Sequence, residues 1–89
     1  MSSKKQLKKE INNTLGALIE EVYVKELSSP DVDVKKSEKI IDEAITLFDE
    51  LIQQIHEPTT KESPKKSFKL IRTSLKDKAS ALSEKIEKL

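Results

Sequence analysis

The sequence has no cysteine, no tryptophan, a single glycine and only three prolines in 89 residues. Without cysteine, neither a disulfide framework nor a thiolate metal site can form. One glycine, Gly16, cannot build a glycine-rich phosphate loop. Aromatic residues are limited to Tyr23, Phe48 and Phe68. A β-sandwich would need more of them, and more turn residues at short intervals. Apolar runs are short as well. Ala17-Leu18-Ile19 is as long as they get, far from the ~20 apolar residues of a membrane-spanning helix. The early lysines, Lys4 and Lys5, are not followed by an apolar core, so no signal peptide is expected and the protein is placed in the cytoplasm. What the chain does hold is charge. Charged residues make up 37% and hydrophobic residues 35%, which describes a Leu/Ile-rich helical chain rather than an average globular one.

Two proline-bearing stretches, Ser28-Ser29-Pro30-Asp31 and His56 to Pro64, cut the chain into three segments. In the first, Leu7, Ile11, Leu15, Leu18 and Val22 recur at steps of three or four, one face of an α-helix over about 3–27. Leu27 extends that stripe. Gly16 falls inside this helix, either as a tolerated weak point or as a place where another helix can approach closely. In the second, over about 34–56, the stripe is Ile40, Ile41, Ala44, Ile45, Leu47, Phe48, Leu51, Ile52 and Ile55; positions 41, 44, 48, 51 and 55 keep the three-four step, and Ile45 and Ile52 widen it. Asp33 is the expected N-cap and Asp31 the alternative. Pro58 closes the segment, because the residue before a proline is pushed out of the helical region. In the third, over about 64–88, the stripe is Phe68, Ile71, Leu75, Ala79, Leu82 and Ile86, with Leu89 beyond. Ser63-Pro64 reads as N-cap and first helical residue, a simpler account than a kinase or minor-groove motif in Ser63-Pro64-Lys65-Lys66. Lys78 interrupts the heptad of Phe68, Leu75, Leu82 and Leu89, so no continuous coiled-coil seam is expected.

Three amphipathic helices with short connections fold as antiparallel neighbours. The expectation is an all-α protein, a single helical domain over 1–89, built as an up-down-up antiparallel three-helix bundle. Helices of this length make a rod with a thin core, which a homodimer would thicken. The predicted core includes Ile11, Leu15, Leu18, Val22, Ile41, Ile45, Phe48, Leu51, Ile52, Ile55, Phe68, Ile71, Leu75 and Leu82, with Phe48 central. Val24, Leu47 and Leu70 fall off the stripes and would form an exposed apolar patch if brought together.

Chemistry-bearing groups are sparse. His56 is the only histidine, set at a helix C-terminus where a cation is favoured. It has no partner at metal-ligand spacing. The acid pairs Glu20-Glu21, Asp42-Glu43 and Asp49-Glu50 read as solvated helix faces, since catalytic carboxyls must oppose one another across a pocket. No base other than His56 could serve a serine nucleophile. Asn12-Asn13-Thr14 matches a glycosylation sequon inside a helical pattern and is read as chance. No catalytic residue, cofactor or metal is therefore assigned, and an enzyme is not expected.

Net charge is only +1 but unevenly spread. Residues 30–57 hold three lysines against eight acids, and residues 58–89 hold eight lysines and Arg72 against four acids. The second helix is acidic and the third basic, an asymmetry that neighbouring helices can satisfy. Lys4, Lys5, Lys8 and Lys9 lie on the first turns of helix one, where cations oppose the helix dipole. Lys65, Lys66, Lys69 and Arg72 open helix three. In an up-down-up bundle helices one and three run parallel, so the two clusters share one end and offer a contact for a polyanion or an acidic partner.

The opening Lys5-Gln6-Leu7-Lys8-Lys9-Glu10-Ile11-Asn12 and the His56-Glu57-Pro58 helix ending resemble a group of small uncharacterised helical proteins from Bacteroidetes bacteria. In that group a Lys-x-Leu-Lys-Lys-x-Ile-Asn start precedes two further helices. The resemblance implies a bacterial cytosolic protein and carries no activity. The expected function is that of a non-enzymatic protein-interaction module, with an unknown protein partner or a second copy of itself. The rival is a weak, sequence-nonspecific nucleic-acid-associated protein using the basic end. No membrane role is expected.

Overall fold

The computed structural model describes residues 4–56 and 64–89, with side chains from Lys66 onward in the second stretch. Helix α1 spans Lys4–Ser28, α2 Val34–His56 and α3 Pro64–Glu87. The boundaries lie within a residue of those read from the prolines and caps. Pro64 opens α3, where its missing N–H costs nothing; Ser63, its expected cap, lies outside the described residues. Asp33 caps α2: the Lys35 amide donates to its Oδ1 at 2.9 Å, and the Ser37 amide donates to its carbonyl at 3.1 Å. The turn between α1 and α2 is closed by the Val32 amide donating to the Ser29 carbonyl at 3.2 Å, with Pro30 at the position where its fixed φ suits a turn. The described residues contain no strand.

Cross-helix bonds fix the topology. Arg72 on α3 reaches Glu10 on α1, and Lys25 on α1 reaches the carbonyl of Glu87 on α3. Fifteen residues along one helix match fifteen along the other in the same direction, so α1 and α3 are parallel. On the other side, Glu43 pairs with Lys85 and Glu50 with Lys78. Seven steps forward along α2 match seven backward along α3, so these two are antiparallel. Glu26 near the end of α1 accepts from Ser37 near the start of α2, as a tight hairpin requires. The result is the expected all-α, three-helix bundle, a rod of 48 × 21 × 17 Å. The acidic second helix and basic third helix do meet through these pairs.

The core runs along the rod as layers from each helix: Leu7, Ile11, Leu15, Leu18 and Val22 of α1, with Phe68, Ile71, Leu75, Ala79, Leu82 and Ile86 of α3. Both stripes match the sequence periodicity, except that Leu27 is 88% exposed. It lies five positions beyond Val22, more than one turn, and Val32 from the connecting turn is buried instead.

Helix α2 corrects the predicted core. Ile40, Ala44, Leu47, Leu51 and Ile55 point inward. Ile41, Phe48 and Ile52 are half-buried, and Ile45 is 48% exposed. Phe48 is thus a flank residue and not the centre. The helix is rotated so that Leu47 faces the bundle axis and the Glu43 and Glu50 carboxylates lie beside the α3 lysines. Its apolar arc is wider than two neighbours can cover, and the rotation leaves the surplus on the α1 side. The expected patch of Val24, Leu47 and Leu70 does not form. Leu47 is buried, and exposed Val24 and Leu70 lie toward opposite ends of the parallel pair α1 and α3.

Candidate functional site

Two surface features stand out, and they meet along α1. The first is apolar. Ile41, Ile45, Phe48 and Ile52 follow one another at steps of three or four on the side of α2 that faces α1. Ile19 on α1 packs against the same edge of the core. Between the helices lies a shallow groove of about 150 Å³, lined by Asn12, Gly16, Ile19, Ala44, Ile45 and Phe48 among others. The strip is half-open along its length. Sequence reasoning assigned these α2 side chains to the interior. The signal that could have moved them was the match of Glu43 and Glu50 to Lys85 and Lys78, which fixes the rotation of the helix.

The other two grooves are spanned by polar groups. Lys85 crosses the α2–α3 groove, about 410 Å³, to reach Glu43 at 3.0 Å, and Lys78 reaches Glu50 at 4.0 Å. Lys25 crosses the α1–α3 groove, about 590 Å³, to the Glu87 carbonyl at 3.5 Å. These exposed pairs add little stability each, ~0–1 kcal/mol. They do place charged groups across the mouths of those grooves. The α1–α2 groove is flanked by aliphatic and aromatic carbon.

The second feature is the basic end. Parallel packing of α1 and α3 brings the starts of both helices together, with the His56 end of α2 beside them. Lys4, Lys5 and Lys9 are exposed and Lys8 is half-buried; on α3, Lys66 and Lys69 are exposed. The Lys65 side chain lies outside the described residues. Arg72 is committed to Glu10, with Nε at 2.8 Å and Nη2 at 3.4 Å from the carboxylate oxygens. It therefore braces α3 against α1, and its charge is largely satisfied. Two helix N-termini add positive partial charge at this end, and one C-terminus offsets part of it.

The acid pairs of α2 differ in their partners. Glu43 and Glu50 turn to the α3 lysines, while Asp42 and Asp49 stay exposed. Asp42 and Glu43 both line the α2–α3 groove, side by side on one helix and not opposed across it. Among the described residues, no group of three or more His, Asp or Glu is placed to hold a metal ion. No described helix is long and apolar enough to cross a membrane. No family model, curated protein or solved structure matches the chain, and the comparisons add nothing to the Bacteroidetes resemblance.

Proposed function

We propose that this protein is a small, non-enzymatic helical interaction module that binds another polypeptide through the α1–α2 face. The observation that carries the reading is the strip of Ile41, Ile45, Phe48 and Ile52 beside Ile19, an apolar edge left open while the other two grooves are bridged by lysines. Covering such a strip removes apolar area from water, worth roughly 25 cal/mol per Å² before the costs of association. An amphipathic helix laid along the groove is the simplest occupant, since anchors at helical spacing meet anchors at helical spacing.

Affinity capture from an extract of the producing cells, with nuclease treatment, tests the reading. Ile45→Lys puts a charge in the middle of the strip at a side chain already half in water, so the fold should survive. Capture of a partner by the native protein and at least a tenfold loss with Ile45→Lys are expected. Equal recovery by both proteins would overturn the assignment of this face.

A second reading is supported by the juxtaposition of Lys4, Lys5, Lys8 and Lys9 with Lys66 and Lys69. A concentrated positive end attracts polyanions even on a nearly neutral protein. Without aromatic platforms, binding to DNA or RNA is expected to be sequence-blind and no tighter than about micromolar at low salt. It should vanish near physiological salt, because counterion release then drives little. Fluorescence anisotropy against a salt series measures this. Tight, salt-resistant binding would make nucleic acid the primary partner.

A further inference from the structure

Gly16 has no role in its own fold. It sits in the interior of α1, where glycine is the least favourable residue after proline. Its φ is not positive, so no backbone conformation demands it. A Cβ built on it would meet nothing within 4 Å, so no neighbour in the same molecule demands it either. A residue that disfavours its helix and spares no internal contact points outward, to something that comes close only from outside. Gly16 also lines the apolar groove.

The surface around Gly16 is complementary to itself. Lys5, Lys9, Asn12, Gly16, Glu20 and Tyr23 are exposed and recur at steps of three or four, so they form one outward seam of α1. Toward the N-terminus from Gly16 the seam is basic, and toward the C-terminus it is acidic. Helix α2 runs antiparallel alongside and places exposed Glu38 beside the acidic half, while Asp42 lines the α2–α3 groove. Asp49 and Lys35 are the opposing charges on the two halves, and the sign of each half survives them. A two-fold axis through Gly16 lays each basic half on the other copy's acidic half. At a rise of ~1.5 Å per residue, Lys9 of one copy then lies within about 4.5 Å, along the axis, of Glu20 in the second. Parallel stacking would instead set lysines against lysines, which opposes association.

We infer that two copies of this chain pair through the α1–α2 face as an antiparallel, two-fold symmetric dimer in which the two α1 helices cross closely at Gly16 and the strips led by Ile45 cover one another. The inference rests on the reading of that face as an interaction surface and names its occupant. A closed two-fold contact uses the same patch on both partners, which is what a self-complementary face provides. The rod is 48 Å long, so its α1–α2 side has room for an interface of the standard ~800 Å² per partner.

Sedimentation equilibrium from roughly micromolar to millimolar concentration is the test. The native chain is expected to dimerise. The reversed-charge variants Lys5→Glu/Lys9→Glu and Glu20→Lys/Glu38→Lys alter exposed side chains only, and helicity by circular dichroism checks that each folds. Each alone should dimerise at least tenfold more weakly. Mixed together they should recover a one-to-one heterodimer, because both charge contacts are then opposite in sign. Gly16→Leu, whose Cβ meets nothing within 4 Å in the monomer, should also weaken the dimer. A native chain that stays monomeric throughout overturns the inference, and so does a dimer indifferent to both charge sets and to Gly16→Leu. A monomer whose capture of another protein is still lost with Ile45→Lys leaves the interaction reading standing and removes the second copy as its occupant. A monomer with no face-dependent capture removes both.

Discussion

Leu51→Ala is expected to cost about 3–4 kcal/mol of unfolding free energy in urea denaturation. Leu51 is fully buried in the inward row of α2, between Leu47 and Ile55. Truncation removes its transfer free energy and leaves a cavity between three stiff helices, which cannot collapse far to fill it. A protein of this size has roughly 4–13 kcal/mol in all, so the variant would sit close to its unfolding threshold. Phe48→Ala, three residues away, should cost only about 1–2 kcal/mol, because Phe48 is half-buried on the flank and its ring is partly wet already. The larger side chain thus gives the smaller loss. Equal losses, or the reverse order, would show α2 rotated toward the register expected from periodicity alone.

Ser37→Val is expected to cost about 2 kcal/mol. The Ser37 hydroxyl is fully buried beside the core, donating to the Glu26 carboxylate and lying 3.1 Å from the Val34 carbonyl. Valine removes the donor, which leaves a partly buried carboxylate short of a partner, at about 1–3 kcal/mol when no water replaces it. It also adds carbon where there is no space, and overpacking strains the neighbours. Ser37→Thr keeps the donor and should lose less than half as much. Thermal or urea melts of the two variants side by side separate the hydrogen bond from the volume. Equal losses would assign the whole effect to packing.

The helix ends were legible because local chemistry fixes them. Pro30 and Pro64 mark boundaries through backbone geometry, and Asp33 marks one by capping amides. The inward rows of α1 and α3 were legible because each is narrow: Leu7 to Val22 and Phe68 to Ile86 leave one choice of face. Helix α2 was not, because its apolar arc includes Ile40 and Ile41, Ala44 and Ile45, and Leu47 and Phe48 as adjacent pairs. Periodicity says that such a helix has an apolar side. Which member of each pair points inward depends on where α3 lies and on its lysines. The same ambiguity hid the candidate site. A surplus Ile or Phe beside a core row reads as core until the neighbours are placed. The basic end was legible, since it needs only helix direction, but the engagement of Arg72 by Glu10 was not, because those residues are 62 apart in sequence.

The clasp between Glu26 and Ser37 has a consequence for the order of assembly. These groups are only eleven residues apart, so bringing them together costs little loop-closure entropy. The turn that joins them holds Val32, which enters the core as the hairpin closes. Contacts between α1 and α3, by contrast, join residues separated by most of the chain. Local contacts form first where loop entropy governs the rate, so the α1–α2 hairpin is the natural nucleus and α3 the late arrival. Until α3 docks, the inward row of α2 and the open strip beside it form one continuous apolar sheet of side chains. A chain at that stage exposes a surface that another hairpin could also cover, and the tethered third helix wins through its high effective concentration, its lysines fixing the register by pairing with Glu43 and Glu50.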